Sequence, residues 1–299
     1  MSARVVITGA AGFLGQAVVR LMLADPRVSH VTASDLTPCG MSHPALTDLP
    51  GRLTDPALLA EVARADVVLH LAAILGGAAE ADPSAARQVN LDATFGLIEA
   101  CQRGARFVFA SSIAVLGETS ADRAPTMVYG AHKAMVEVAI ETATRRGEID
   151  GISLRPGGIV ARRDQNTGLK SAFLSQVFWA VAEGVDYELP VSQEAQTWLS
   201  SVHNVAAQFS QAALAASLGP ARSLTLPMQK CQFKALVEAL KARFPSSRST
   251  VTFVPEAETM RLFGQAQPLD FTLARAAGFT PDADLAALIC AALYNGETI

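Results

Sequence analysis

The feature that most limits what this chain can become sits near its start. A short apolar run, Val5-Val6-Ile7, passes through Thr8-Gly9-Ala10-Ala11-Gly12-Phe13-Leu14-Gly15 into a stretch with helical periodicity that lasts to Ala24. A strand that turns straight into a helix commits the chain to a crossover connection and a parallel neighbour. The first half continues in kind. Strands are predicted at Val5–Ile7, His30–Ser34, Val67–Leu71, Arg106–Ser111 and Gly151–Leu154, and helices at Phe13–Ala24, Pro56–Arg64, Ser84–Arg103 and Tyr129–Arg146. The strands are almost continuously apolar, as strands covered on both faces must be. The predicted fold class is therefore α/β, a doubly wound parallel sheet, with its ligand crevice at the carboxyl ends of the strands.

After about Pro156 the pattern loosens into a polar segment, 162–168, followed by helices predicted near 172–183, 233–244 and 285–293. We expect residues 1–160 to form the sheet domain, with further strands contributed later in the chain. Residues 161–299 should form mainly a smaller lobe that closes over the crevice, the boundaries being interleaved. Half of the 299 residues are apolar, enough for a substantial core. A net charge of −4 with no Lys/Arg block argues against nucleic acid as a partner. No apolar run approaches the ~20 residues of a membrane span, and no secretory leader is visible, so a cytoplasmic location is expected. Cys39, Cys101, Cys231 and Cys290 are scattered and form no C-x-x-C pair, which suggests buried, reduced thiols and no metal site.

The glycine loop has a chemical use. Gly9 permits a tight turn, Gly12 lets backbone approach a pyrophosphate, and Gly15 lets the helix pack close to the strand, while the helix N-terminus offers a positive dipole. Asp35 ends the second strand about 20 residues on, where an acid accepts hydrogen bonds from a ribose and repels a 2′-phosphate. With no Arg or Lys between Ser34 and Leu36, NAD is favoured over NADP as cofactor. The plainer reading is that Asp35 only starts a turn.

Tyr129 and Lys133 stand four apart in a helical pattern, so phenol and ammonium share a face. A phenol with pKa ~10 needs about 4 kcal/mol of anion stabilisation to act as a base near neutrality. Lys133 and a nicotinamide ring could contribute it. Ser111-Ser112 ends a predicted strand, where a hydroxyl can orient a reacting oxygen. Singly these features are common; together, behind the glycine loop, they point to hydride transfer from a carbon bearing a hydroxyl.

These motifs resemble those of the extended short-chain dehydrogenases, the NAD-dependent epimerase/dehydratase family. Thr8 to Gly15 is similar to its T-G-x-x-G-F-x-G loop, His70-Leu71-Ala72-Ala73 to its H-x-A-A strand end, and Val89-Asn90 to its asparagine under the site. Ser112, Tyr129, Lys133 and Leu154-Arg155-Pro156-Gly157 also match, and Ser112 rather than Ser111 takes the catalytic position. The resemblance implies a Rossmann sheet and a catalytic group of Ser112, Tyr129 and Lys133. It implies NAD contacts from Gly9, Gly12, Phe13, Leu14, Asp35, Leu71, Ala72, Ala73, Asn90, Tyr129, Lys133, Pro156, Gly158 and Ile159. It further implies a homodimer formed through the Tyr129 helix and the long helix before it.

Within the family the sequence is most similar to the D-erythronate dehydrogenase-like branch, in His70 to Ile74, Ala79-Glu80-Ala81-Asp82, Ser112 to Val115 and Arg145-Arg146-Gly147. It departs from that branch at Gly157 to Asn166. A sugar-acid substrate would need a cation for its carboxylate, and Arg162, ahead of Arg163, is the candidate. Ser112, Tyr129, Asn166 and Trp198 complete the expected substrate contacts, with His203 a weaker one. Glu80 and Asp82, if near the entrance, would discourage a highly anionic substrate. The expected function is NAD-dependent oxidation of a secondary hydroxyl of a small polyhydroxy acid. The alternatives are a nucleotide-sugar epimerase that retains NAD and a non-catalytic NAD-binding redox sensor.

Overall fold

A computed structural model describes residues 2–117, 125–163 and 170–293. The first half reads, in order, β1 (Ala3–Thr8), α1 (Phe13–Ala24), β2 (Val28–Ser34), β3 (Leu46–Asp48), α2 (Pro56–Val62) and β4 (Val67–His70). Two short helices follow, α3 (Gly76–Ala81) and α4 (Pro83–Arg87), then a π-helical turn over Gln88–Ala93 that continues into α5 (Thr94–Ala100). β5 (Arg106–Ala110), α6 (Val128–Arg145) and β6 (Asp150–Arg155) complete it. The predicted strands and helices are all present, with one difference: the single helix expected over 84–103 is interrupted. Its turn widens at Asn90, whose side chain is tied to the Ile74 backbone by bonds of 2.8 and 2.9 Å. Such widened turns often mark functional sites.

The second half contributes α7 (Phe173–Glu183), β7 (Tyr187–Leu189), β8 (Gln196–Leu199), α8 (Val202–Leu214), β9 (Ser223–Thr225) and β10 (Gln229–Gln232). It continues with α9 (Phe233–Arg243), β11 (Val251–Phe253), α10 (Ala257–Phe263), α11 (Thr272–Ala276) and α12 (Leu285–Leu293). One of these strands, β9, belongs to the main sheet. Its order is β3-β2-β1-β4-β5-β6-β9, every pairing parallel, and α8 packs against α1 on one face.

Alternation along each strand fills both layers. Val5, Ile7, Val67, Leu69 and Val108 point into the core shared with α1 and α8, whereas Val6, Val68, Phe107 and Phe109 point to the layer of α2, α5 and α6. A third core, built on Phe173, Phe178, Trp179, Phe233 and Leu288, holds the C-terminal lobe together. The chain order reverses between β1 and β4, so the crevice opens at the carboxyl ends of those two strands.

The thiols correct one expectation. Cys39 and Cys231 are buried, but Cys101 is half-buried and Cys290 is exposed on the outer side of α12. No helix among the described residues is long and apolar enough to cross a membrane.

Candidate active site

Three glycines shape the floor of the crevice, each for a different reason. Gly9 has φ +71°, and a Cβ there would stand 2.7 Å from the Ala72 backbone nitrogen, so the loop lies directly against the end of β4. A Cβ on Gly15 would come 2.0 Å from the Gly9 carbonyl oxygen, which makes α1 rest on the loop. Gly12 meets nothing nearer than that same oxygen at 3.1 Å. No side chain caps α1, so the positive end of its dipole is presented at the loop. Asp35 braces the loop by accepting from the Ala11 N–H at 3.0 Å while remaining half-buried at the rim. This geometry fits a dinucleotide's pyrophosphate at Gly12, Phe13 and Leu14, and its ribose at Asp35.

Beside the loop, β4 ends in a buried polar chain that sequence reasoning only partly anticipated. His70 Nδ1 meets Thr8 Oγ1 at 2.6 Å, and its Nε2 meets Thr94 Oγ1 at 2.8 Å. Burial, aided by the nearby charge of Lys133, holds the imidazole down to about 3, so it stays neutral. The Leu71 N–H donates to the Thr8 carbonyl at 3.2 Å, and Ala72 to the Thr8 hydroxyl at 3.4 Å, which ties both residues to the end of β1.

The side chains expected to be catalytic converge from the turn after β5 and from α6. Ser112 Oγ accepts from the Ala114 N–H at 3.1 Å, capping a short 3₁₀ turn over Ile113–Val115. The same hydroxyl also hydrogen-bonds with the Tyr129 phenol. α6 reaches Ser112 because Gly130 lies against the same turn: a Cβ there would stand 2.1 Å from the Ala114 carbonyl oxygen. Burial pushes the Tyr129 phenol up to about 12, opposed by the Ser112 hydrogen bond and by the charge of Arg162. Lys133 donates to the Ala110 carbonyl at 2.7 Å, and its ammonium lies 5.5 Å from the Tyr129 ring centroid. Burial draws it down to about 7. The neighbouring Ser111 turns the other way and gives its hydroxyl to Glu137.

The chain leaves β6 across the front of this group. The Pro156 carbonyl accepts from Ile113 at 3.1 Å, and Gly158, at φ +53°, accepts from Ser200 at 3.0 Å. Ile159 pairs with Ser200, which brings β8 alongside. Ala161 then adopts φ +65°, unusual for a residue with a Cβ, and its carbonyl accepts from Trp179 Nε1 at 3.1 Å. Immediately after this bend the Arg162 guanidinium stands 5.4 Å over the Phe13 ring of the glycine loop.

Other expected substrate contacts fall differently. Arg163 lies 4.2 Å over Trp179 and faces Glu183, away from Tyr129. The Trp198 indole N–H donates to the Gln267 carbonyl at 2.8 Å, and the ring packs edge-on against Phe271. His203 meets the Ala291 carbonyl at 3.0 Å. Asn166 lies outside the described residues. Glu80 and Asp82 act as helix caps: Glu80 accepts from the Val128 N–H at 2.7 Å at the start of α6, and Asp82 from Ala85 at 2.9 Å. A cleft of about 550 Å³ between Phe173, Tyr187 and Phe263 lies among residues of the second half of the chain and does not touch Ser112, Tyr129 or Lys133.

A seven-stranded parallel sheet carrying this loop and this Ser-Tyr-Lys group defines an oxidoreductase that uses a nicotinamide dinucleotide. The chain belongs to the NAD dependent epimerase/dehydratase family, which it matches over residues 5–210. It is 35% identical over 239 residues to a D-erythronate dehydrogenase of Haemophilus influenzae, covering 74% of this chain and 75% of that one. It is 34% identical over 261 residues to another from Cupriavidus necator, covering 79% and 81%. The solved nucleoside-diphosphate-sugar epimerase from Agrobacterium tumefaciens superposes with a TM-score of 0.80 at 27% identity, over 96% of this chain and 92% of that one. The chain is thus an NAD-dependent oxidoreductase with a small-molecule substrate.

Proposed function

We propose that the protein oxidises a secondary hydroxyl of a small polyhydroxy acid such as D-erythronate, with Tyr129 as the base. The observation that carries this reading is the position of Arg162, whose charge faces the Tyr129 phenol while its guanidinium lies over Phe13. A cation there can hold a carboxylate by two parallel hydrogen bonds and so bring a hydroxyl a few atoms away to the phenol. NAD, when bound, supplies the hydride acceptor. Ser112 orients the substrate oxygen, Tyr129 takes its proton, and the Lys133 ammonium favours the phenolate that does so. The names of the two relatives support a sugar acid of this size. The wider segment of 157–163, and residues beyond it, set which one.

The chain acts in this reading as a cytoplasmic homodimer. On α6, Met135 and Val138 are 47% and 66% exposed, an apolar strip that a second copy would cover.

The test is a panel of four- to six-carbon aldonic and uronic acids with NAD, read as absorbance growth from NADH. D-erythronate or a close relative is expected to give one NADH per turnover. Conversion of a nucleotide sugar with no net NADH would replace this reading by the epimerase one, which the solved epimerase's similarity favours next. Tyr129→Phe is expected to lower kcat about 1,000-fold, within the range for a lost general base, while NAD affinity stays within about twofold. Undiminished turnover in that variant would assign the proton to another group.

A further inference from the structure

Behind the catalytic group lies a second buried polar cluster that the proposed reaction leaves unexplained. Glu137 follows Lys133 by one turn on the inner face of α6 and is 6% exposed. Its carboxylate accepts from the Ser111 hydroxyl and is clamped by the Arg155 guanidinium, through Nε at 2.8 Å and through Nη2. The three residues come from the three elements that build the site: Ser111 adjoins Ser112, Glu137 shares a helix with Tyr129, and Arg155 precedes Pro156. An ion pair is a poor means of merely joining elements. Desolvation cancels most of its attraction, and apolar side chains of equal volume commonly hold as well.

Lys133 gives the cluster a purpose. Its side chain is 2% exposed, stands 4.4 Å over the Phe109 ring, and forms no salt bridge among the described residues. Burial disfavours its charge, and the Glu137 carboxylate pulls the other way. The remaining titratable or charged groups nearby are Tyr129 on the same helix, Arg155 behind Glu137, and His70 from β4, which is neutral. Glu80 of α3 and Arg87 of α4 face His132, on the adjoining side of α6.

On the reading that Tyr129 is the base, we propose that Glu137 is the positioning residue of the catalytic lysine: oriented by Ser111 and Arg155, its carboxylate keeps the Lys133 side chain an ammonium beside Tyr129. The carboxylate acts through space, since its near lone pairs are taken by Ser111 and Arg155. Glu137→Gln removes this negative charge and leaves the Arg155 cation in place. The Arg155 charge, no longer balanced, then disfavours a second cation, so Lys133 would lose its proton at lower pH. Glu137→Asp keeps the charge. Glu137→Gln combined with Arg155→Gln removes both charges and should fall between.

The chain has five lysines, so isotope labelling at lysine Cε, with Lys133→Arg to assign the resonance, allows titration of Lys133 by NMR without NAD or substrate. The expected midpoint moves down by about one pH unit in Glu137→Gln and only slightly in Glu137→Asp. In activity assays Glu137→Gln should lose kcat about tenfold above its new midpoint, with KM for NAD unchanged. A Glu137→Gln midpoint equal to that of the wild type overturns the proposal. If that variant does not fold, the double variant is compared with Arg155→Gln alone, and equal Lys133 midpoints in those two overturn the proposal instead. The titration is independent of substrate, so failure of every hydroxy acid in the panel would sink the Tyr129 reading and leave the Lys133 shift still measurable.

Discussion

Two stretches of irregular backbone meet at the site, the loop between β1 and α1 and the crossing that follows β6, and they differ in how they hold their shape. In the loop the left-handed residue is Gly9, and the close contact is made by Gly15. Its conformation is written into the residue types. In the crossing, Gly158 is likewise left-handed, but so is Ala161, which keeps its bend with a hydrogen bond from Trp179 in a distant helix. The loop offers backbone and a dipole to a phosphate, a ligand part common to every dinucleotide. The crossing aims one side chain, Arg162, and its geometry depends on residues far along the chain. Binding by backbone is therefore local in sequence, while binding by an aimed side chain is not.

Substitutions in the two stretches should separate them. The largest effect is expected for Gly15→Ala, whose new methyl would collide with the Gly9 carbonyl. It should cost about 3 kcal/mol in denaturant unfolding and remove measurable NAD binding in a fluorescence titration. A stable variant that binds NAD normally would mean the loop has slack like any other turn. Arg162→Ala comes next, with KM for the hydroxy acid rising about 30-fold, near 2 kcal/mol, and NAD affinity unchanged. If NAD binding weakens instead, the crossing serves the cofactor too.

Acid should act on the loop's side of the comparison. The folded His70 is held down to about 3 against an ordinary 6.5, so the unfolded chain binds the extra proton and stability falls as pH drops below 6.5. The loss attributable to this histidine is about 1.4 kcal/mol one unit below that value, read as the difference between the wild type and His70→Gln across a pH series. Equal slopes in the two proteins would remove His70 from the account. The smallest effect belongs to Ala161→Gly, which relieves a left-handed alanine but frees the unfolded chain. Thermal unfolding should show a gain of about 0.5 kcal/mol, accompanied by a modest rise in KM for the acid. A loss of stability there would mean that the bend is not strained.

The same contrast explains which features the sequence alone reveals. The sheet, the ends of α1 and α6, and the group of Ser112, Tyr129 and Lys133 were legible because each depends on residues close in sequence. The interruption at Asn90 was not, since the bonds that hold it go to Ile74. Gly130 carried a usable signal, because a glycine inside a helix is costly unless close packing requires it. Glu137 was also within reach, being an acid on the face of α6 that also carries Val136 and Ile140 inward. Its partner Arg155 was not, because only the packing of α6 against β6 brings them together. Trp198 was expected among the substrate contacts, and its N–H is engaged by Gln267, which no periodicity reveals.

The late arrival of β9 has a consequence for how the chain must be made. Its partner β6 ends at Arg155, but Ser223–Thr225 comes only after α7, β7, β8 and α8 have been synthesised. Until then a nascent chain on the ribosome holds a nearly finished sheet with one raw hydrogen-bonding edge and an uncovered face where α8 will lie. Such an edge invites pairing with another chain. A truncation after β6 should therefore precipitate rather than yield a working nucleotide module, and the interval of translation between these two strands is when a chaperone would have most to do.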